Sequence, residues 1–553
     1  MEEQGEERSL NNIRKFINAL MLVLFLPVLF CVMFIGNNMD YWDDVKANIL
    51  VPNALLTIIA LTAFAICLYL IYTGRRIQLT GHVSRLMDLL LLVLFAGFYF
   101  FCMWLSNETV FDMSVDQGIV REAAKDVAHE IPFGYQFVFS MNYNNLPITY
   151  VLGRLYRLAE SLTWFEHDPE YLWVITGCLS VTGAGFCCCE IVKKLTKNAA
   201  AVLISFALYL VTAGLSPWKA IPYTDSYGIF FPVLCILLYF CSRDCRHAIC
   251  RALLLFFSVA AGMAGGFMKP SAYIAVLAVL GAEGVSFVDT VLVMLKNKRV
   301  KETTPENQKK KGIWRRFISA GASLALSLLF VFIMYCVNSF GMDYIVEDIE
   351  LEYNEEIEAT PQYFFYMGTK ELTTGGFSTE DYGVFGEFQY SKADRNAACL
   401  ERAWERIEER GVVGTVYFCL KKLVKSFNDG TFAWTYVLYY EPFPEELTHD
   451  NIFAGYMRSL FVPGGANQAK YDTMAELAWI FTLMGVPGIV LAKGKKKYCV
   501  VFPILIIGIL SYLMLFESGA RYVYVFLPVF IAMCICGIDW IQEKIIKYTK
   551  KRI

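Results

Sequence analysis

The sequence predicts an all-α membrane protein of about 12 transmembrane helices, with juxtamembrane helices and a mixed segment facing water on the outer side. Two compositional facts carry the class. Hydrophobic residues make up 56% of the 553 and charged ones only 18%, where a soluble domain carries about 25% charge. The charges also gather between long apolar runs, so lipid is the solvent for most of the chain. A third observation, the placement of lysine and arginine, orders those runs across the membrane.

Apolar runs long enough to span lie at 16–35, 51–72, 87–105, 172–191, 199–215, 226–241, 251–267, 271–295, 317–337, 475–492, 498–516 and 521–541. The first is too long for a signal-peptide core, and no small-x-small cleavage site follows it, so it is read as a retained helix. Basic clusters sit before the first run (Arg14, Lys15), after the second (Arg75, Arg76, Arg85) and after the fourth (Lys193, Lys194, Lys197). Others follow the sixth (Arg243, Arg246, Arg251), the eighth (Lys296 to Arg316), the tenth (Lys493 to Lys497) and the last (Lys547 to Arg552). Simple alternation places every cluster on one side, which predicts a multi-pass protein with both termini cytoplasmic.

The net charge of -3 points to no nucleic-acid partner. The 17 cysteines fall mostly inside apolar runs and form neither a disulfide framework nor a zinc-spaced pair. The five histidines are scattered, with no HxxH or HExxH among them, so no metal site is assigned, although a divalent metal is not ruled out. No repeat of 20–50 residues and no inverted symmetry appears, and mid-span charges are few. Both features weigh against a secondary transporter. Two long stretches, 106–171 and 338–474, are left outside. In the second, Ala397, Leu400, Trp404 and Ile407 predict a solvated helix docked by one apolar stripe and stopped at Gly411.

Candidate chemistry lies on the outer side. Asp112 and Asp116, spaced i, i+4, share one helix face and offer a general base. Ser114 with Gln117 also reads as a capping box, with Asp116 suiting the helix dipole. Tyr143-Asn144-Asn145 leads into an amphipathic helix. Tyr223-Thr224-Asp225 forms a short outer loop, where Asp225 either caps the sixth span or lines a pocket. Arg521, beside Tyr522, runs against the positive-inside bias and so needs a partner. That partner is either Glu517, four residues earlier, or a lipid phosphate. Lys269 is a second outer cation, snorkelling or phosphate-binding.

These motifs, with Lys269-Pro270-Ser271, Tyr366-Met367-Gly368, Asp429-Gly430-Thr431-Phe432-Ala433-Trp434 and Glu517 with Arg521-Tyr522, follow an order that resembles bacterial GT-C-type membrane glycosyltransferases. The relatives in view are protein O-mannosyltransferases and aminoarabinose transferases, in the large Gram-positive set. The resemblance runs from about residue 87 to the C-terminus. It implies inverting transfer, in the plasma membrane, from a polyprenyl-phosphate sugar to an extracytoplasmic acceptor: a cell-wall polymer, a glycolipid or a protein. It implies Asp116, then Asp112, as base and Arg521, Lys269 and Tyr522 around the donor phosphate. Asp225, Tyr223, Glu517, Asn144 and Asn145 would line the pocket. No cofactor is implied; the lipid-linked sugar is a substrate.

Three departures stand out. Residues 1–86 add two helices before the core of 87–337. The aspartate pair is spaced rather than adjacent. The outer segment 338–474 precedes the last three spans, 475–553, in place of a soluble C-terminal domain. There are two rivals: a transporter or flippase of a lipid-linked saccharide, which would use the same outer cations, and a polysaccharide polymerase or ligase, whose essential residues would be outer-loop arginines or histidines rather than Asp116.

Overall fold

In hydrocarbon a backbone N–H or C=O has no water to bond to, so a crossing segment closes its hydrogen bonds within itself, as a helix does. The computed structural model describes residues 2–36, 47–109, 115–131, 133–165, 168–297, 306–437, 452–461, 464–492 and 497–552, and among these there are helices and turns but no strand. The chain begins with α1 (Glu2–Phe34), α2 (Asn53–Gly74) and α3 (Gly81–Glu108). Three shorter helices follow, α4 (Val115–His129), α5 (Gln136–Met141) and α6 (Leu146–Glu160). The bundle resumes with α7 (Tyr171–Thr196), α8 (Ala199–Tyr209), α9 (Thr224–Gly228), α10 (Phe230–Asp244), α11 (Ala248–Met268), α12 (Tyr273–Asn297) and α13 (Glu306–Asp348). An outer layer holds α14 (Pro361–Met367), α15 (Thr379–Tyr382), α16 (Val384–Glu387), α17 (Lys392–Phe427) and α18 (Ile452–Phe461). The last group is α19 (Gln468–Gly485), α20 (Val501–Leu515), α21 (Arg521–Tyr524) and α22 (Leu527–Arg552).

Ten described segments are long and apolar enough to cross a membrane, and they coincide with ten of the twelve predicted runs. The other two runs are also helical. One is α8, which continues as a single π-helical turn over Leu210–Gly214. At 16 residues it is about 24 Å long, short of a 30 Å hydrocarbon core. The other is α22, which carries Asp539 at its middle and Glu543, Lys544 and Lys547 in its second half. Its predicted start, residue 521, belongs instead to the separate one-turn helix α21.

Ion pairs tie the basic ends together. Arg14 at the start of α1 meets Asp289 near the end of α12 at 2.6 Å. Arg75, after α2, meets Asp539 of α22 at 2.7 Å. Lys193 pairs with Asp88 of α3 and Glu190, Lys194 with Asp244 of α10, and Arg243 with Glu283 of α12. Each pair joins ends that alternation places on the same side. Asp88, Glu190 and Glu283, the acids nearest the interior of the predicted spans, are thus taken up in ion pairs. At the other end Arg458 meets Glu108, Arg154 meets Asp348, and Asn53 joins Val32, Asn428 and Glu476.

The first two helices are not an appendage. Phe25 of α1 meets Phe427, and Phe64 of α2 meets Phe481 of α19. Close packing of α19 and the turn after it against α22 depends on glycine. A Cβ at Gly537 would lie 2.1 Å from the Gly485 carbonyl, and one at Gly488 would lie 2.6 Å from the Gly537 carbonyl. Small residues let transmembrane backbones approach in this way.

The outer layer departs from the expected docking. The stripe Leu400 and Trp404 of α17 is turned outward, Trp404 being 56% exposed. The docked face is Arg395, Cys399, Ala403, Arg406 and Arg410. Arg395 donates to the carbonyls of Glu356 and Glu358. Arg406 donates to the Tyr366 carbonyl and to Asp381 at 2.6 Å. Arg410 donates to the Thr369 carbonyl at 2.8 Å. Residues 354–391 form short turns whose carbonyls lack a regular ladder, and the guanidinium fork supplies donors to them. The helical geometry does break at Gly411, as the sequence predicts: its φ of 65° and ψ of 177° are non-helical, and a second helical segment sets off beyond this kink.

Beyond the kink, Lys422 donates to the carbonyls of Gly368, Met514 and Phe516 at 2.7, 2.9 and 2.7 Å, closing the last turn of α20. Lys425 donates to the Thr373 carbonyl at 2.6 Å. The 514–518 loop is latched a second time, since Ser518 donates from its N–H to Gly375 and from its hydroxyl to Thr374.

This packing makes a prediction. Gly537→Leu forces α22 off α19 and is expected to lower stability by about 1–3 kcal/mol, read as a drop in Tm of the detergent-solubilised protein.

Candidate functional site

The candidate residues are carried by five breaks in helix, all at the end away from the basic clusters. Lys269 is extended (φ -147°, ψ 110°) between α11 and the turn Pro270–Ala272, as a residue before proline prefers. Tyr223 is extended too (φ -144°, ψ 173°) and enters α9, where its N–H donates to the Ser226 hydroxyl at 3.4 Å. Asn145 ends a 3-10 turn before α6. Asp116 lies in the first turn of α4. That helix packs so closely on α6 that a Cβ at Gly153 would sit 2.8 Å from the Ala124 carbonyl. Arg521 opens α21, after the latched loop that holds Glu517.

These breaks converge. Asp225 is fully buried and forms an ion pair with the buried ammonium of Lys269. It is therefore a charge partner rather than a cap, and Lys269 does not snorkel. Burial lowers the Lys269 ammonium below the lysine range, and Asp225 opposes that shift. Tyr223 donates to Asn145 Oδ1 at 3.4 Å, and Asn144 donates to the same oxygen at 3.2 Å. Burial raises the Tyr223 phenol; Asp116 raises it further, Arg521 lowers it and Asp225 raises it. Tyr223 thus has both Asp116 and Arg521 close enough to act on its charge.

Arg521 does not take the side-chain partner that spacing offered. Glu517 accepts from the Tyr522 hydroxyl instead of pairing with Arg521. The Arg521 guanidinium lies 5.3 Å from the Tyr522 ring centroid, Lys269 Nζ lies 5.5 Å from it, and Arg521 Nη1 is buried with no hydrogen-bond acceptor among the described residues. Asp116 likewise accepts no hydrogen bond among the described residues. Gln117 is fully buried with both amide atoms unpartnered, so it does not serve as the returning arm of a capping box. Ser271 Oγ is a further buried, unpartnered group. Asp112 and Ser114 lie outside the described residues.

The site therefore holds the Asp116 carboxylate, a guanidinium with an unpartnered nitrogen, and a buried Lys–Asp pair. A guanidinium in that state fits a phosphate. Among the described residues no three His, Cys, Asp or Glu side chains group as metal ligands. Three cations were missed in the sequence. Lys422 and Lys425 act on Glu517 or its loop. Lys219, buried beside the Phe461 ring at 5.7 Å, donates to the Ser216 carbonyl. All three run against the positive-inside bias, the signal that singled out Arg521.

The Lys269–Asp225 pair makes a prediction independent of any activity. Asp225→Ala leaves a buried ammonium unpaired and is expected to cost about 3–5 kcal/mol, whereas Asp225→Ala/Lys269→Met should recover most of that loss. Tm values for the three proteins in one detergent give the comparison.

No curated protein and no solved structure matches this chain. Residues 9–540 match one family model, so the chain belongs to the family described as conserved hypothetical integral membrane protein.

Proposed function

We propose that this protein is a glycosyltransferase that moves a sugar, with inversion, from a polyprenyl-phosphate donor to a hydroxyl-bearing acceptor at the outer face of the plasma membrane. The single observation that carries the reading is Arg521. It is a cation at the non-basic end of a membrane bundle, and the acid four residues before it is held by Tyr522 instead. An anion from the lipid side suits the donors that remain.

In this mechanism the donor phosphate lies against Arg521, with Lys269 behind it and fixed by Asp225. Asp116 takes the proton of the acceptor hydroxyl, and that oxygen attacks the anomeric carbon from the face opposite the phosphate. The bond between the anomeric carbon and the phosphate oxygen breaks. The electron pair leaves on polyprenyl phosphate, where the cations stabilise the growing charge. Tyr223, between Asp116 and Arg521 in its electrostatics, keeps base and phosphate site in register. The acceptor is a cell-wall polymer, a glycolipid or a protein. Both termini are cytoplasmic, since the basic clusters belong to that side.

The test uses purified protein in lipid nanodiscs with radiolabelled polyprenyl-phosphate sugars and membrane extract as acceptor. Asp116→Asn is expected to lose transfer by about 10²–10⁴-fold with donor still bound, and Arg521→Ala to lose donor binding. Transfer that survives Asp116→Asn moves the base to Asp112 or Asp225. Donor that binds and changes leaflet without any transfer overturns the enzyme in favour of a flippase.

A further inference from the structure

The second half of α17 changes character at Gly411. Before the kink the outward residues include Glu401, Glu405, Glu408 and Glu409. After it they are Val412, Val413, Val416 and Tyr417, exposed by 83%, 84%, 66% and 58%. At 3.6 residues per turn these four fall within an arc of about 140°. Phe418 and Lys422, both buried, lie on the opposite side. Scattered exposed apolar residues are ordinary on any protein, whereas a contiguous patch marks a surface that something covers.

The path of the helix says what covers this one. It ends at Phe427, whose ring meets Phe25 of α1 at 6.2 Å, Trp479 of α19 at 6.2 Å and Phe530 of α22 at 5.9 Å. All three lie in the transmembrane bundle, and Phe25 is nine residues inside the end of α1, about 13 Å along it. Lys422 fastens the same helix to the last carbonyls of α20. The segment after Phe427 turns back, and its backbone is satisfied by side chains. Asp429 accepts from the N–H groups of Thr431 and Ala433, and Glu476 accepts from that of Gly430, each at 2.7–2.8 Å. Phe432 and Ala433 are both left-handed, at φ 58° and 53°. Irregular backbone at membrane depth is tolerated only when it is buried and bonded in this way.

We infer that residues 412–427 form a re-entrant half-helix, entering the leaflet at the non-basic end and returning through 428–434, with Val412, Val413, Val416 and Tyr417 against lipid acyl chains. The polar–apolar change at Gly411 then marks the membrane surface. This assignment places lipid within the segment 338–474 that reads as water-facing, and it does not depend on the transferase reading.

The natural chain provides the assay, because trypsin cleaves after Arg410 and Lys421 and releases residues 411–421 as one peptide. The protein is reconstituted in nanodiscs containing phosphatidylcholine with a diazirine on the acyl chain, irradiated, digested and mapped by mass spectrometry. Peptide 411–421 is expected to carry lipid adducts at the level of lipid-facing span peptides, several-fold above peptide 396–402 from the polar half. Adducts absent from 411–421 while span peptides carry them, or no more frequent there than on 396–402, overturn the assignment.

Discussion

Hydrocarbon offers a charged side chain neither water nor screening, so each charge in a membrane bundle moves to a helix end or finds a partner. In this protein most charges do both. Arg14 with Asp289, Arg75 with Asp539, and Lys193 with Asp88 and Glu190 each combine an end position with an opposite charge. The same pairs bring distant parts of the chain together, since the start of α1 is held to the end of α12 and the loop after α2 to α22. Topology and packing therefore follow from one constraint, applied at one end of the bundle.

At the other end the constraint is only partly met, which is what makes that end a candidate site. The acid best placed to neutralise Arg521 is engaged by a phenol, and Asp116 and Gln117 are left without hydrogen-bond partners among the described residues. A buried polar group left in this state costs about 1–3 kcal/mol. Arg521 Nη1, the Gln117 amide and Ser271 Oγ are such groups. On the proposed reading, a donor phosphate answers Arg521 and an acceptor hydroxyl answers Asp116.

Hydropathy was enough to read ten of the twelve spans, and charge bias was enough to single out Arg521, because each depends on the solvent rather than on neighbours. The partner of Arg521 was not readable. Sequence spacing offered Glu517, and only the fold puts Tyr522 in its way. The face of α17 was misread for a related reason. Apolar spacing favours Leu400 and Trp404, but the adjoining turns of 354–391 needed donors more than they needed apolar cover, so the arginines turned inward. Lys422 and Lys425 sit in an apolar stretch and could have been found by the rule that found Arg521, had the segment been read as close to the membrane.

The re-entrant helix and the site share a hinge. Lys422 holds the carbonyls of Met514 and Phe516, and a single residue separates Phe516 from Ser518, whose hydroxyl and N–H are fixed to Thr374 and Gly375. Glu517 lies between those anchors, so its position is set from the outer layer and from the half-helix rather than from the spans alone. Glu517 accepts from the Tyr522 hydroxyl, so the outer layer bears on the surroundings of Arg521 through this one side chain. Lys422 thus joins the helical segment beyond Gly411 to the loop that carries Glu517, while the arginines that fasten the first half to the turns of 354–391 lie on the other side of that break in helical geometry.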